Sequence, residues 1–339
     1  MGVDRRTILL GAAALAACGQ QTSSSSSATA PIASATTAPT GSAWTRIAQT
    51  GEGRIQVPGG SVVWRKFGDG PKAPVLAAHG GPGFPSDYIE PLKGLGDERA
   101  VYFWDQLGCG RSDKPTGAQL WVRSRFIEEL AQVRAGLNLT RFHYFGSSWG
   151  TMLGVDYLLE RGQQGVMSAT LDGPVMSIRR YLADTRPMIA ELTPEHQAAV
   201  HEAERTNNYD TPGYKAADDE FTAQHVARHP SAETAPYWQR TQQGAGMESY
   251  LAMDGQSEFS ITGNLKDYER EGDLHRITIP VLYVSGEFDT CTPGASREYA
   301  SKTPNAQVAV IPGAGHCKLI DEPDATIAAV RAFLKRVEP

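Results

Sequence analysis

The chain has 339 residues, 40% of them apolar and 21% charged, with a formal net charge of −6. That much apolar sequence sustains a buried core, and single α/β domains often run past the size at which other chains divide. The negative balance argues against nucleic acid or an anionic membrane surface as partner, and four cysteines without a C-x-x-C pair argue against a structural zinc site.

The N-terminus reads as a targeting segment. Arg5-Arg6 precede a ten-residue apolar run, Ile8 to Ala17, whose end is Leu15-Ala16-Ala17 followed by Cys18. Such a run suits a signal h-region and falls short of the roughly 20 residues that span a bilayer. Asp4 to Leu10 resembles a twin-arginine export signal. Leu15 to Cys18 resembles the lipobox of bacterial lipoproteins, in which the cysteine thiol is lipidated and becomes the mature N-terminus. The alternative is an ordinary signal peptide cleaved nearby, with Cys18 incidental. Residues 1–18 are therefore expected to be a lipoprotein signal. The product is expected in the periplasm or cell envelope of a bacterium, meeting membrane only through the lipid on Cys18. Residues 19–43 are mostly Ser, Thr, Ala and Pro. They bury too little apolar surface to offset their chain entropy and read as a disordered tether.

From there the elements follow in order. Arg54–Val57 and Ser61–Phe67, separated by Pro58-Gly59-Gly60, read as a hairpin. Pro74–Ala78 is a continuous apolar strand running into His79-Gly80-Gly81-Pro82-Gly83. Ala100–Trp104 is another, ending at Asp105-Gln106. Trp121–Leu137 has helical spacing, Phe142–Phe145 is a strand, Thr151–Glu160 a helix and Ser168–Leu171 a strand. Between Val175 and Lys266 the pattern is helical with little strand character, and helix starts recur, as at Thr193-Pro194-Glu195. Strands resume at Ile279–Val284 and Val308–Ile311, with helices at Thr292–Lys302 and Asp324–Val337. Strands alternating with helices imply βαβ units and a mostly parallel sheet. The expected organisation is an α/β core from 44–174 and 267–339, with a helical cap, 175–266, inserted into it.

Gly146-Ser147-Ser148-Trp149-Gly150 lies between a strand and a helix, which is the context of a nucleophile elbow. A serine hydroxyl needs a base to take its proton and a third group to orient that base. In α/β-hydrolases these follow in the order Ser, acid, His. Asp289 follows the Ile279–Val284 strand and His316 follows Val308–Ile311, so both are expected at the carboxyl ends of strands beside Ser148. Glu287 is a competing carboxylate two positions from Asp289. His79 reads as structural, because His316 already fills the base role. His225 and His229 have helical spacing, but no carboxylate completes a ligand set, so both are expected at the surface. No metal and no cofactor are implied.

His79-Gly80-Gly81-Pro82-Gly83, Asp105-Gln106-x-Gly108-x-Gly110-x-Ser112, the elbow, and Gly286-Glu287-Phe288-Asp289 followed by Thr292-Pro293 together resemble the proline iminopeptidases. These are α/β-hydrolase serine aminopeptidases, including the tricorn-interacting type and amino-acid amidases. The resemblance covers nearly all of residues 50–336 and implies the α/β-hydrolase fold with an inserted helical cap. It also implies that the amides of Gly81 and Trp149 form the oxyanion hole. Asp254-Gly255-Gln256-Ser257-Glu258-Phe259 resembles the family stretch whose glutamate binds the substrate's α-ammonium, which carries over to Glu258. The other reading of Glu258 is a cap-to-core salt bridge. The tricorn-interacting type has a second ammonium-binding glutamate directly after the catalytic aspartate; here that position is Thr290. One carboxylate fewer makes amino-acid amides, arylamides or esters more credible substrates beside short peptides.

The implied reaction is release of an N-terminal residue, proline favoured, from a short peptide or amino-acid amide through an acyl-enzyme. An esterase or lactonase on the same triad is the alternative. An idle surface-anchored binding protein is opposed by the intact triad. Dehalogenase or epoxide-hydrolase chemistry would place Asp at the elbow. Cys291 and Cys317 lie just past Asp289 and His316 on loops expected to be neighbours. A disulfide between them depends on a distance that only the fold sets.

Overall fold

The structure, a computed structural model, describes residues 41–339. The export signal, Cys18 and all but the last residues of the expected tether lie outside the described residues. Strand β1 (Gln49–Val57) turns at Gly59, which has φ +98°, into the long β2 (Gly60–Ala78). The two stretches expected as separate strands, Ser61–Phe67 and Pro74–Ala78, are the two halves of β2. Both halves flank β3 (Arg99–Asp105). Val63 to Phe67 run antiparallel to Asp105 back to Val101, and then the register reverses, setting Val75, Leu76 and Ala77 beside Val101, Tyr102 and Phe103. The reversal between them needs glycine. A Cβ on Gly68 would stand 2.1 Å from the Gly96 carbonyl oxygen.

Helix α1 (Arg123–Gly136) leads to β4 (Phe142–Ser147), α2 (Trp149–Glu160) and β5 (Val166–Asp172). Helix α2 begins at Trp149, two residues before the expected start, because it opens directly at the elbow serine. The cap comprises α3 (Ile178–Ile189), α4 (Pro194–Thr206), α5 (Pro212–Phe221), a π-helical turn (Thr222–Val226), α6 (Ala235–Gly244) and α7 (Met247–Met253). A small hairpin, β6 (Gly255–Ser257) with β7 (Ser260–Ile261), closes it. The chain then adds β8 (Val281–Gly286), α8 (Pro293–Lys302), β9 (Ala306–Ile311), α9 (Lys318–Asp321) and α10 (Pro323–Val337). In the sheet, the second half of β2 pairs parallel with β4, β4 with β5, β5 with β8 and β8 with β9.

Both faces of this sheet are buried, so its strands read as continuous apolar runs. Alternate residues still separate. Leu76, Trp104, Tyr144, Val281 and Tyr283 meet α1, α2 and Tyr299 of α8 on one face. Val75, Phe103, Phe145, Leu282 and Val284 meet Leu92, Leu95 and the α10 side chains Val330 and Phe333 on the other. Leu92 and Leu95 belong to a 3₁₀ stretch, Ser86–Asp97, that apolar periodicity did not reveal. Because β4, β5, β8 and β9 run parallel to one another, the loops after them all emerge at one edge, where ligands bind in open α/β sheets.

Candidate active site

The turn between β4 and α2 sets Ser148 at φ 54°, ψ −122°, a conformation that non-glycine residues adopt only under local constraint. The constraint is close backbone packing. A Cβ on Gly146 would lie 2.3 Å from the Gly150 carbonyl oxygen, and one on Gly150 would lie 2.5 Å from that of Ala78. Neither neighbour is a side chain that can swing away. Gly146→Ala is therefore expected to cost about 1–3 kcal/mol of stability, as overpacking does; an unchanged urea midpoint would contradict this.

Asp289 lies in the loop after β8 and His316 in the loop after β9. His316 Nδ1 donates to Asp289 Oδ1 at 2.7 Å, and both residues are buried. Burial alone would push the Asp289 carboxyl up, but Lys318 and His316 outweigh it and hold it at about 2. His316 shows the reverse balance: burial pulls its imidazolium down and the Asp289 charge raises it well above the ordinary value. With Nδ1 as donor, Nε2 of neutral His316 is an acceptor. It is buried, makes no hydrogen bond, and His316 lines the same cavity as Ser148. The competing carboxylate, Glu287, is exposed and accepts from the Gly313 amide at 2.9 Å.

The loop after β2 is held from several sides. His79 is fully buried, and its Nε2 accepts the Gln106 amide at 2.8 Å. Its Nδ1 proton therefore faces the Gly80 carbonyl, 2.9 Å away. Burial lowers the His79 pKa, which favours this neutral form. Gln106 returns a bond to the His79 carbonyl at 2.9 Å and accepts Trp149 Nε1 at 2.9 Å. Tyr88, in the 3₁₀ stretch, accepts the Gly80 amide at 2.7 Å. Gly81 has φ +107°, and a Cβ there would meet Gly83 N at 2.6 Å. Trp149 is the first residue of α2, so its N–H has no intrahelical partner.

The cap closes over these loops. Gly246 N donates to the Gly83 carbonyl at 2.8 Å, and Arg240 of α6 binds Asp87 at 2.8 Å. Beneath lies a cavity of about 200 Å³ whose walls include Gly81, Ser148, Asp218, Tyr250, Glu258 and His316. An apolar recess opens from the same place, walled by Met152, Val175, Ile178 and Ile261 beside Ser148, Asp254 and Glu258. Glu258, on the β6–β7 turn, accepts from the Tyr181 hydroxyl at 3.2 Å. Asp218 of α5 is raised to about 7 by burial and by the neighbouring charges of Glu258 and Asp219. Asp254 is raised well above its ordinary range by burial and by Glu258. Among the described residues no lysine or arginine forms an ion pair with Asp218, Asp254 or Glu258. The salt-bridge alternative for Glu258 therefore lacks its cation.

Thr290, at the position of the absent acid, is fully buried with its hydroxyl 3.3 Å from His316 Nδ1. Asp218 was not expected at the site; it lies on a helix about forty residues before Glu258 in sequence, and only the cap's folding brings them to one cavity. Lys318 was missed for a different reason: a lysine is ordinarily at the surface, yet this one is fully buried against Asp289. His225 corrects the surface expectation. It is 5% exposed, packs on Phe221 with ring centroids 5.0 Å apart, and its carbonyl accepts the His316 amide at 2.8 Å. His229 is exposed as expected. Cys291 and Cys317 are buried free thiols, not a disulfide.

Atoms of Asp289, Cys291 and His316 able to ligate a metal come within 4.8 Å of one another. The facing Asp289 and His316 atoms already hydrogen bond, and Lys318 Nζ sits 2.6 Å from the other Asp289 oxygen. A fixed ammonium thus occupies the electrostatic place of a metal ion, and the set is a poor fit for one.

The α/β hydrolase fold family model matches residues 73–323. A proline iminopeptidase from Heyndrickxia coagulans is 36% identical over 289 residues, covering 84% of this chain and 99% of that protein. This chain belongs to the proline iminopeptidase family of α/β-hydrolases. A second family member, from Levilactobacillus brevis, is 35% identical over 80% of this chain and 92% of its own length. The crystal structure of the Mycobacterium smegmatis proline iminopeptidase superposes with a TM-score of 0.75 at 28% identity, covering 85% of this chain and 98% of that one. As a member of the proline iminopeptidase family the chain is a serine hydrolase.

Proposed function

We propose that this enzyme releases an N-terminal residue, proline favoured, from short peptides or amino-acid amides. The observation that carries the reading is the set of acids around Ser148, with Glu258 and Asp218 lining its cavity and Asp254 the adjoining recess, none with a cationic partner among the described residues. Burial and the Glu258 charge raise the carboxyls of Asp218 and Asp254, and a substrate ammonium would draw them back toward the ionised form through charge-assisted hydrogen bonds. The adjoining recess of Met152, Val175, Ile178 and Ile261 suits a compact apolar ring such as proline's.

Ser148 Oγ then attacks the first carbonyl carbon while His316 Nε2 takes its proton. Asp289 keeps His316 in the required tautomer and stabilises the imidazolium. The amides of Gly81 and Trp149 bind the oxyanion. Collapse expels the amine, which takes the proton from His316 and leaves the aminoacyl ester on Ser148. Water attacks that ester, giving its proton to His316, which returns it to Ser148 Oγ as the free amino acid leaves. The Arg5-Arg6 signal and the Leu15–Cys18 motif support export, a lipid anchor on Cys18 and a reaction carried out in the cell envelope.

The test is a panel of prolyl, alanyl and leucyl arylamides, N-acetylprolyl arylamide and simple esters. Free-amine prolyl arylamide is expected to exceed its N-acetyl form by at least about 100-fold in kcat/KM, the size of a lost charge-assisted contact. Equal rates on the two, or a preference for simple esters, would favour the esterase alternative.

A further inference from the structure

Lys318 is a buried cation beside Asp289 and His316 that the reaction above leaves unused. It follows the base by two residues, its side chain is 0% exposed, and its Nζ donates to Asp289 Oδ2 at 2.6 Å and to the His316 carbonyl at 2.8 Å. On its other side stands Asp172, at the end of β5, with Oδ1 3.3 Å from Nζ. Asp172 in turn grips the elbow. Its Oδ2 accepts the Ser147 hydroxyl at 3.0 Å, and its carbonyl accepts the Ser148 amide at 2.8 Å. A continuous polar path therefore runs from the nucleophile's own backbone through Asp172 and Lys318 to the acid of the acid–base pair.

We propose that Lys318 and Asp172 form a positioning pair that ties the Ser148 elbow to Asp289 and sets the proton affinity of the Asp289–His316 unit. The inference rests on the triad reading given above.

The physical case has two parts. A buried ion pair is an expensive way to fill space, and well-packed apolar side chains commonly do as well for stability. What the pair supplies is geometry and charge. With Oδ2 taken by Lys318 and by the Gly286 amide at 3.1 Å, Oδ1 is the oxygen left for His316 and the Cys291 amide at 2.8 Å. The carboxylate cannot rotate away from the ring without breaking these bonds. As to charge, a lone lysine here would repel the imidazolium that forms during acylation. Asp172 offsets that, so Asp289, Lys318 and Asp172 together carry the single negative charge that Asp289 would carry alone. The other titratable groups facing this network are Cys291, beside His316 and Lys318, Cys317, beside Lys318 and Asp172, Tyr88, near Asp172, and Asp254 and Glu258 across the cavity.

The signs of the expected effects follow. Removing the cation makes the Asp289–His316 unit bind a proton more readily, so the active form, ionised Asp289 with neutral His316, requires higher pH. Removing Asp172 does the opposite. The test is the acid limb of kcat on saturating prolyl arylamide, where Asp218's effect on ammonium binding drops out, for Lys318→Met, Asp172→Asn and the double variant, with thermal midpoints measured alongside. Lys318→Met is expected to move the limb up by about one pH unit and to lower kcat about tenfold or more with little change in KM. Asp172→Asn is expected to move it down, and the double variant to return it toward wild type.

A merely structural pair would lower the midpoints and leave the limbs in place, or move both the same way, and either result overturns the proposal. Should Lys318→Met not fold, the downward shift in Asp172→Asn and its reversal in the double variant still decide. Ser148→Ala, run beside them, separates the two readings. An active alanine variant removes the site reading and the proposal with it, whereas an inactive one with unmoved limbs removes the proposal alone.

Discussion

Ser148→Ala is expected to lower kcat/KM on prolyl arylamide by about four orders of magnitude or more, with the residual rate coming from the oxyanion amides and substrate binding. The loss follows from position. Among the described residues, Ser148 is the hydroxyl carried on a strained turn at φ 54°, in the cavity that also holds the unpartnered Nε2 of His316. Folding should survive, because alanine keeps the Cβ and the turn's contacts. Ser148→Gly separates strain from chemistry. It should be equally inactive yet more stable by about 1 kcal/mol, since glycine occupies positive φ without penalty. Purified variants compared by active-site titration and thermal unfolding check both. Alanine activity within tenfold of wild type would remove Ser148 as the nucleophile.

Glu258→Gln should reduce kcat/KM on free-amine substrates by about 100-fold, the effect of exchanging a charged acceptor for a neutral one against an ammonium. N-acetylated substrates, which bring no cation, should lose nothing. Asp218 adds a pH signature. Its carboxyl is raised to about 7 by burial and by Glu258, so it is ionised above that pH and protonated below it. Attraction for the ammonium should therefore weaken as pH falls through about 7 in wild type. Asp218→Asn should lose that dependence, and Glu258→Gln should move it to lower pH by removing a repelling charge. The same shift acts on stability. The folded state holds this proton more tightly than the unfolded chain, so the contribution is fully present below the ordinary carboxyl range and is lost as pH rises to about 7. A Glu258→Gln variant with unchanged kcat/KM on free-amine substrates would remove the carboxylate wall from substrate binding.

Much of this site could be read before folding. Gly146 to Gly150 between a strand and a helix, Asp289 and His316 after later strands, and the His79 and Asp105-Gln106 motifs are local patterns. Strand, turn and helix preferences act within a few residues, and a parallel sheet then delivers every strand's carboxyl end to one edge. The same logic showed 175–266 to be mainly helical and marked the start of α4 at Thr193-Pro194, because helix-start signals are themselves local.

Charge burial is not local, and there the sequence was silent. Nothing in His316-Cys317-Lys318 says that a lysine will sit fully buried, because its partners Asp172 and Asp289 lie far away in the chain. Asp218 looks like one more acid on a polar helix until α5 folds over the nucleophile. His225 looks exposed until the π-helical turn carries its carbonyl to the His316 amide. Whether Cys291 and Cys317 pair could not be read from their loops; each is buried against different neighbours and remains free. An isolated sequence specifies which groups can ionise, hydrogen bond or act as nucleophiles. Which of them lose their water, and beside which charge they do so, is set by contacts between distant segments, and those contacts give Ser148 its surroundings.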